Sequence, residues 1–183
     1  MKKTLLSAVL IASFGVAALA SMSAHAASSG TINFTGKVIT DSCVVSVNGS
    51  GTSTGTVGLP VVFNSVLSTV GNVAGKTPFT IGLTGCDSNV TSAQALFTGS
   101  GIDTTSGNLI NTGTATNVEV QLLAGTTTVM PLQNSTAAGQ LSPVGTLSSN
   151  ATTLSYSAQY VAVGGAGAAG TVLSTVGFTL TYQ

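Results

Sequence analysis

The chain has 183 residues, of which 43% are hydrophobic and only 4% charged, with a formal net charge of zero. Disordered segments combine low hydrophobicity with high charge, so that class is excluded. Four lysines and no arginine also exclude the basic footprint of a nucleic-acid binder and a polybasic membrane patch.

The first element is a leader. Lys2 and Lys3 precede a mostly apolar run from Leu5 to Ala20, and Ala24-His25-Ala26 supplies a small-x-small cleavage signature. The run is shorter than the roughly 20 apolar residues that a membrane helix needs. Cleavage after Ala26 is therefore favoured over an uncleaved anchor, and over cleavage after Ala18-Leu19-Ala20 at the edge of the run. The expected mature chain, Ala27 to Gln183, loses the single histidine, His25. It keeps Lys37 and Lys76 against Asp41, Asp87, Asp103 and Glu119, a net charge of −2. Its length suits one domain with a real core.

Residues 30–43, GTINFTGKVITDSC, put Ile32, Phe34, Gly36 and Val38 on one face of an extended chain. Such a core-facing strand at a free end is unusual, because termini are poorly ordered unless something holds them. Taken alone, Gly36 reads as a bulge or turn in an ordinary first strand. Val57 to Phe63 is a short apolar run broken by Pro60, which suggests an edge or a switch between sheets. Thr77 to Cys86 places Phe79, Ile81 and Leu83 on one face, and Ala93 to Thr98 is a short strand. Asn117 to Ala124 alternates Val118, Val120 and Leu122; Thr153 to Val163 alternates Leu154, Tyr156, Ala158, Tyr160 and Ala162. The last stretch, Thr171 to Tyr182, aligns Val172, Val176, Phe178, Leu180 and Tyr182. Turn-forming clusters such as NGSGTSTG and TGSGIDTTSGN separate these runs. Many short strands at this spacing predict an all-β sandwich of the immunoglobulin type.

Two cysteines, Cys43 and Cys86, remain after the leader. An oxidising compartment favours a disulfide between them over two separate buried thiols, and the chain-entropy estimate for such a loop is roughly 4 kcal/mol. A metal site is disfavoured, since no histidine joins the two thiols. Nucleophilic catalysis by Ser or Cys normally needs a base such as histidine, which the mature chain lacks. Asp41 and Asp87 each lie within two residues of a cysteine and could form an acid–base pair. The plainer reading is a pair of exposed turn residues that aid solubility. Four acids are too few for a calcium cage without many backbone ligands. The GGAGAAG run at Gly164–Gly170 lacks the Lys-Ser/Thr of a phosphate loop and reads as a connection. Five N-x-S/T sequons, at Asn33, Asn48, Asn89, Asn134 and Asn150, are expected by chance in a chain so rich in Ser and Thr. The expectation is a non-enzyme with no cofactor, no metal and no small-molecule substrate.

The order of these pieces resembles a chaperone–usher pilin, and most of all the major structural subunit of type 1 fimbriae. GTINFTGKVITDSC resembles the family's N-terminal extension up to its first cysteine. TIGLTGCDSNV resembles the segment around the second cysteine, ATNVEVQLL and LSYSAQYVA two internal strands, and TVGFTLTYQ the ending. Tyr182 is the penultimate aromatic and Gly170 the fourteenth residue from the C-terminus, both family hallmarks. The resemblance implies an immunoglobulin-like sandwich lacking its final strand, completed by a strand from a chaperone or from another subunit. Residues 1–26 would be the signal peptide, 27–42 the donor-strand extension and 43–183 the pilin domain. Ile32, Phe34, Gly36 and Val38 would form the donor strand, with Gly36 over the shallow part of the groove. Gly170, Phe178, Leu180 and Tyr182 would form the acceptor-groove edge. The implied partners are other pilin subunits, a periplasmic chaperone and an outer-membrane usher. The implied destination is an extracellular fimbria that supports bacterial adhesion, reached through the periplasm. Two alternatives stand beside it: a minor or terminating subunit, and a self-contained secreted β-sandwich whose first strand fills its own groove.

Overall fold

The computed structural model describes Thr31, Asn33, Phe34 and residues 43–183. The chain falls into two units, Met1–Lys37 and Val38–Gln183, and the architecture here is that of the second. The strands are β1 (Val44–Val47), β2 (Val73–Thr84), β3 (Ser92–Thr98), β4 (Val118–Ala124), β5 (Thr128–Val129), β6 (Gly145–Thr146), β7 (Thr152–Ala162) and β8 (Gly177–Tyr182). One turn of 3-10 helix, Asn64–Leu67, interrupts them. They form a five-stranded sheet in the order β1-β2-β7-β4-β5 and a three-stranded sheet in the order β6-β3-β8. Every pairing is antiparallel.

Alternation explains how these segments reach the core. Phe79, Ile81 and Leu83 on β2, Ala93, Ala95 and Phe97 on β3, and Leu154 and Tyr156 on β7 are all buried, as expected when one face of each sheet meets the other. Tyr156 ties the layers together. Its ring stacks on Phe79 at 5.4 Å and meets Phe97 edge-on at 5.2 Å. Its hydroxyl lies 2.9 Å from Ser142 Oγ, and burial pushes its pKa up to about 12. Asn117–Ala124, Ala93–Thr98 and Thr153–Val163 are strands within a residue or so of expectation.

Three segments differ from the sequence reading. β2 begins at Val73 rather than Thr77, because a register shift between Ala74 and Thr77 lets the strand bend and continue. Gly75, at φ +69°, sits in that irregularity with the Tyr160 ring against it, a bulge geometry that suits glycine. The Val57–Phe63 run forms no strand and passes straight into the 3-10 turn. The C-terminal strand forms a ladder only from Gly177, because its partner β3 ends at Thr98. Residues 171–176 run instead along residues 110–115, through Thr112 N–H to the Leu173 carbonyl (2.8 Å) and Ala115 N–H to the Thr171 carbonyl (3.0 Å). The expected first strand, apart from Thr31, Asn33 and Phe34, lies outside the described residues.

Candidate functional site: an open apolar groove

The disulfide sets one end of the site. Cys43 and Cys86 are bonded, both buried, and they tie the chain just before β1 to the chain just after β2. From there a groove of about 900 Å³ runs between the sheets. Phe79, Ile81, Phe97, Leu122 and Ala158, all buried, contribute to its floor. One wall is the C-terminal strand, with Val172, Val176, Phe178, Leu180 and Tyr182 facing in. Opposite stand Val45 and Val47 of β1 and residues 53–59, including Val57 and Leu59. No charged side chain is among the described residues that line it. Its polar groups are hydroxyls and backbone.

Backbone accounting shows what the groove can accept. Gln183 and Ser92 exchange both of their main-chain hydrogen bonds, at 2.9 and 3.1 Å. In an antiparallel ladder, bonded pairs alternate with unbonded ones. Thr181, Thr179 and Gly177 therefore bond to β3, while Phe178, Leu180 and Tyr182 turn both backbone groups toward the groove. Across the gap, no backbone-to-backbone hydrogen bond joins residues 53–62 to another described residue. Two walls whose inward backbone groups meet no backbone partner among the described residues, above an apolar floor, are what one extended strand with alternate apolar side chains satisfies. Six residues of strand, as in β8, span about 20 Å.

The other edge of the three-stranded sheet is closed by side chains. Gln140, fully buried, accepts from Phe97 N–H (2.9 Å) and donates to the Phe97 carbonyl (2.8 Å). Its amide makes the bonds that a neighbouring strand would make there. Further along β3, Gln94 donates to the Ser142 carbonyl, and β6 pairs with Ser92 and Ala93.

The sequence-designated edge residues divide. Phe178, Leu180 and Tyr182 line the groove, and Phe178 packs on floor residue Phe97 at 6.4 Å between rings. Tyr182 closes the disulfide end: the Cys43 backbone hydrogen-bonds to its hydroxyl, and burial raises its pKa above the ordinary phenol value. Gly170 does not line the groove. It lies where the C-terminal run crosses residues 114–115, and a Cβ there would sit 2.6 Å from the Thr114 carbonyl carbon and 2.7 Å from Ala115 Cα. The opposite wall, Val45, Val47, Val57 and Leu59, was not designated from sequence, although the apolar Val57–Phe63 run was its signal. Of the proposed donor residues, Phe34 is described and exposed, whereas Ile32, Gly36 and Val38 lie outside the described residues, as does Asp41. Asp87 accepts from the backbone and side-chain amides of Asn89 at 2.8 and 2.7 Å, a local turn bond.

Comparison with known proteins places this geometry. Residues 59–183 match the family model described as "FimA: Type-1 fimbrial protein, A". The chain is 42% identical over 177 residues to the F17 fimbrial protein of Escherichia coli, covering 92% of this chain and 96% of that one. It is 38% identical to the major fimbrial subunit SMF-1 of Stenotrophomonas maltophilia, covering 91% and 99%. Among solved structures it resembles a chaperone–usher pilus subunit from work on rod uncoiling (TM-score 0.61, 20% identity, 86% of this chain and 97% of that one). It also resembles the P pilus rod subunit PapA (TM-score 0.56, 20% identity, 76% and 99%). These two likenesses establish the fold, an immunoglobulin-like sandwich.

Proposed function

Because this chain belongs to the type-1 fimbrial protein (FimA) family and is a structural subunit of a fimbria, we propose that it polymerises by strand donation. The N-terminal extension of one copy enters the groove of the next. Ile32, Phe34 and Val38 fill apolar sites between the sheets, each worth roughly 1.5–3 kcal/mol as an upper estimate. Gly36 passes the shallowest part of the floor. The extension's backbone bonds to Phe178, Leu180 and Tyr182 on one side and to residues 53–59 on the other. Each copy carries one extension and one groove, so the contact is head-to-tail and propagates as a filament rather than closing on itself. Before assembly the same open edge would be covered by a strand of a periplasmic chaperone and handed over at an outer-membrane usher. An unguarded apolar edge of this kind is otherwise a template for aggregation. The fimbria then stands on the bacterial surface.

The observation that carries this reading is the groove itself. It has apolar walls, and among the described residues the C-terminal strand has a partner on one side only. The test is size analysis of the exported, folded mature chain, alone and with a peptide of residues 30–42. Self-assembly that the peptide blocks supports strand donation. A stable monomer that ignores the peptide would show a self-contained sandwich.

A further inference from the structure

We infer that the exposed apolar stretch from Val61 to Val73 is a second contact between consecutive copies, made by the body of the copy that donates the strand. The inference rests on the strand-donation reading above. Val61 is 100% and Phe63 84% exposed, and Val66, Val70 and Val73 of the same stretch are exposed too. The stretch continues directly from groove-wall residues 53–59.

Its place in the fold supplies the occupant. Gly71 N–H bonds to the Ala162 carbonyl and Ala162 N–H to the Asn72 carbonyl, both at 2.9 Å. Val62 packs with Leu67, Ala115, Val118 and Ala162. The patch therefore sits at the Val172 end of the groove, opposite Tyr182 and the disulfide. Every pairing in the three-stranded sheet is antiparallel. A donor that continues this sense enters beside Tyr182 and leaves beside Val172, because β8 runs the other way. Only residues 39–42 separate Val38 from Cys43, a reach of at most about 17 Å. The donating body is thus held next to the patch. It arrives Cys43 first, presenting Val44, itself 60% exposed. No charged residue occurs from Val44 to Gly75, so neither the patch nor Val44 itself brings a charge to be buried. The strand supplies the link, and this contact fixes the angle between linked bodies.

The test compares filaments of the full chain with those of Val61→Thr/Phe63→Ser, using Val129→Thr/Leu141→Ser as a control at exposed apolar sites elsewhere. The expected patch-variant filaments form in normal amount but bend more, with persistence length in electron micrographs reduced at least twofold. The control keeps the wild-type stiffness. Should the double variant fail to fold, Val44→Thr on the donating face carries the same test and should loosen the filament likewise. Patch-variant filaments as stiff as wild type would overturn the inference while leaving strand donation intact. Normal filaments from Gly36→Leu would instead sink the strand-donation reading itself, and this inference with it.

Discussion

Gly170→Ala adds one methyl group at a position that does not touch the groove, yet it should weaken the groove. The new Cβ would lie 2.6 Å from the Thr114 carbonyl carbon and 2.7 Å from Ala115 Cα, well inside contact distance. Both are backbone atoms, so no side chain can rotate away. Relief requires the C-terminal run to back off from residues 114–115. That puts at risk Ala115 N–H to the Thr171 carbonyl (3.0 Å) and the three bonds between Thr171 and Thr114 made through their hydroxyls (2.9, 3.1 and 3.2 Å). Overpacking costs about 1–3 kcal/mol, and each lost hydrogen bond about 1 kcal/mol. A total near 2–4 kcal/mol corresponds to a melting-point drop on the order of 5–15 °C for a domain of this size. Val172, two residues on, would shift with the run, so the affinity for a peptide of residues 30–42 should fall as well. Gly58→Ala is the contrast, because its Cβ meets nothing within 4 Å and its cost should stay below about 0.5 kcal/mol. Thermal denaturation of both variants and peptide titration of Gly170→Ala check this. Equal stability of Gly170→Ala and wild type would refute the close-approach argument.

Three further outcomes are expected. Replacing Cys43 and Cys86 with Ser should cost about 2–5 kcal/mol, read from denaturation, with degraded chain recovered on export. Gly36→Leu should leave monomer melting unchanged but abolish polymer, since a branched side chain meets the floor at a cost of roughly 1–3 kcal/mol; loss of monomer stability would favour the self-filled sandwich. Stability should also fall at alkaline pH. The Tyr156 phenol, raised to about 12 by burial, stays neutral in the fold while an unfolded phenol ionises from about 10. Its contribution is complete below about pH 10 and is lost as the pH climbs to 12. Burial raises Tyr160 and Tyr182 in the same direction. Melting followed from pH 9 to 12 should decline, and a flat profile would contradict the assignment.

Much of this was legible in the sequence because apolar residues alternate along the core-facing side of each long strand. Phe79, Ile81 and Leu83, and likewise Leu154, Tyr156 and Ala158, carry the two-residue period that locates β2 and β7. The Cys43–Cys86 bridge followed from the leader and the cysteine count. The rest depends on contacts that leave no periodic trace. β5 and β6 are two residues each, too short to alternate. β1 presents Val44 outward beside partly buried Val45, and a flanking Gly-Ser-Thr loop hides it among turn signals. Gln140 reads as one polar residue in a loop, and only the fold brings it to Phe97, 43 positions away. Gly170 was picked out as a groove-edge residue, and the structure assigns it a different task, the crossing over residues 114–115. The wall from Val57 to Leu59 could be read only as an apolar run, because a segment with no backbone bond to another described residue carries no pairing pattern to reveal it.

The central claim is that alternate residues of the C-terminal strand hold unanswered backbone groups until a donor strand arrives. Amide hydrogen exchange, residue by residue along β8, tests it most directly when a peptide of residues 30–42 is added to the folded subunit. Thr179 and Thr181, already bonded to β3, should be protected before and after. Phe178, Leu180 and Tyr182 should exchange fast alone and become protected with the peptide. A peptide that binds without slowing those three amides, or that slows Thr179 and Thr181 as much as it slows those three, would contradict the account.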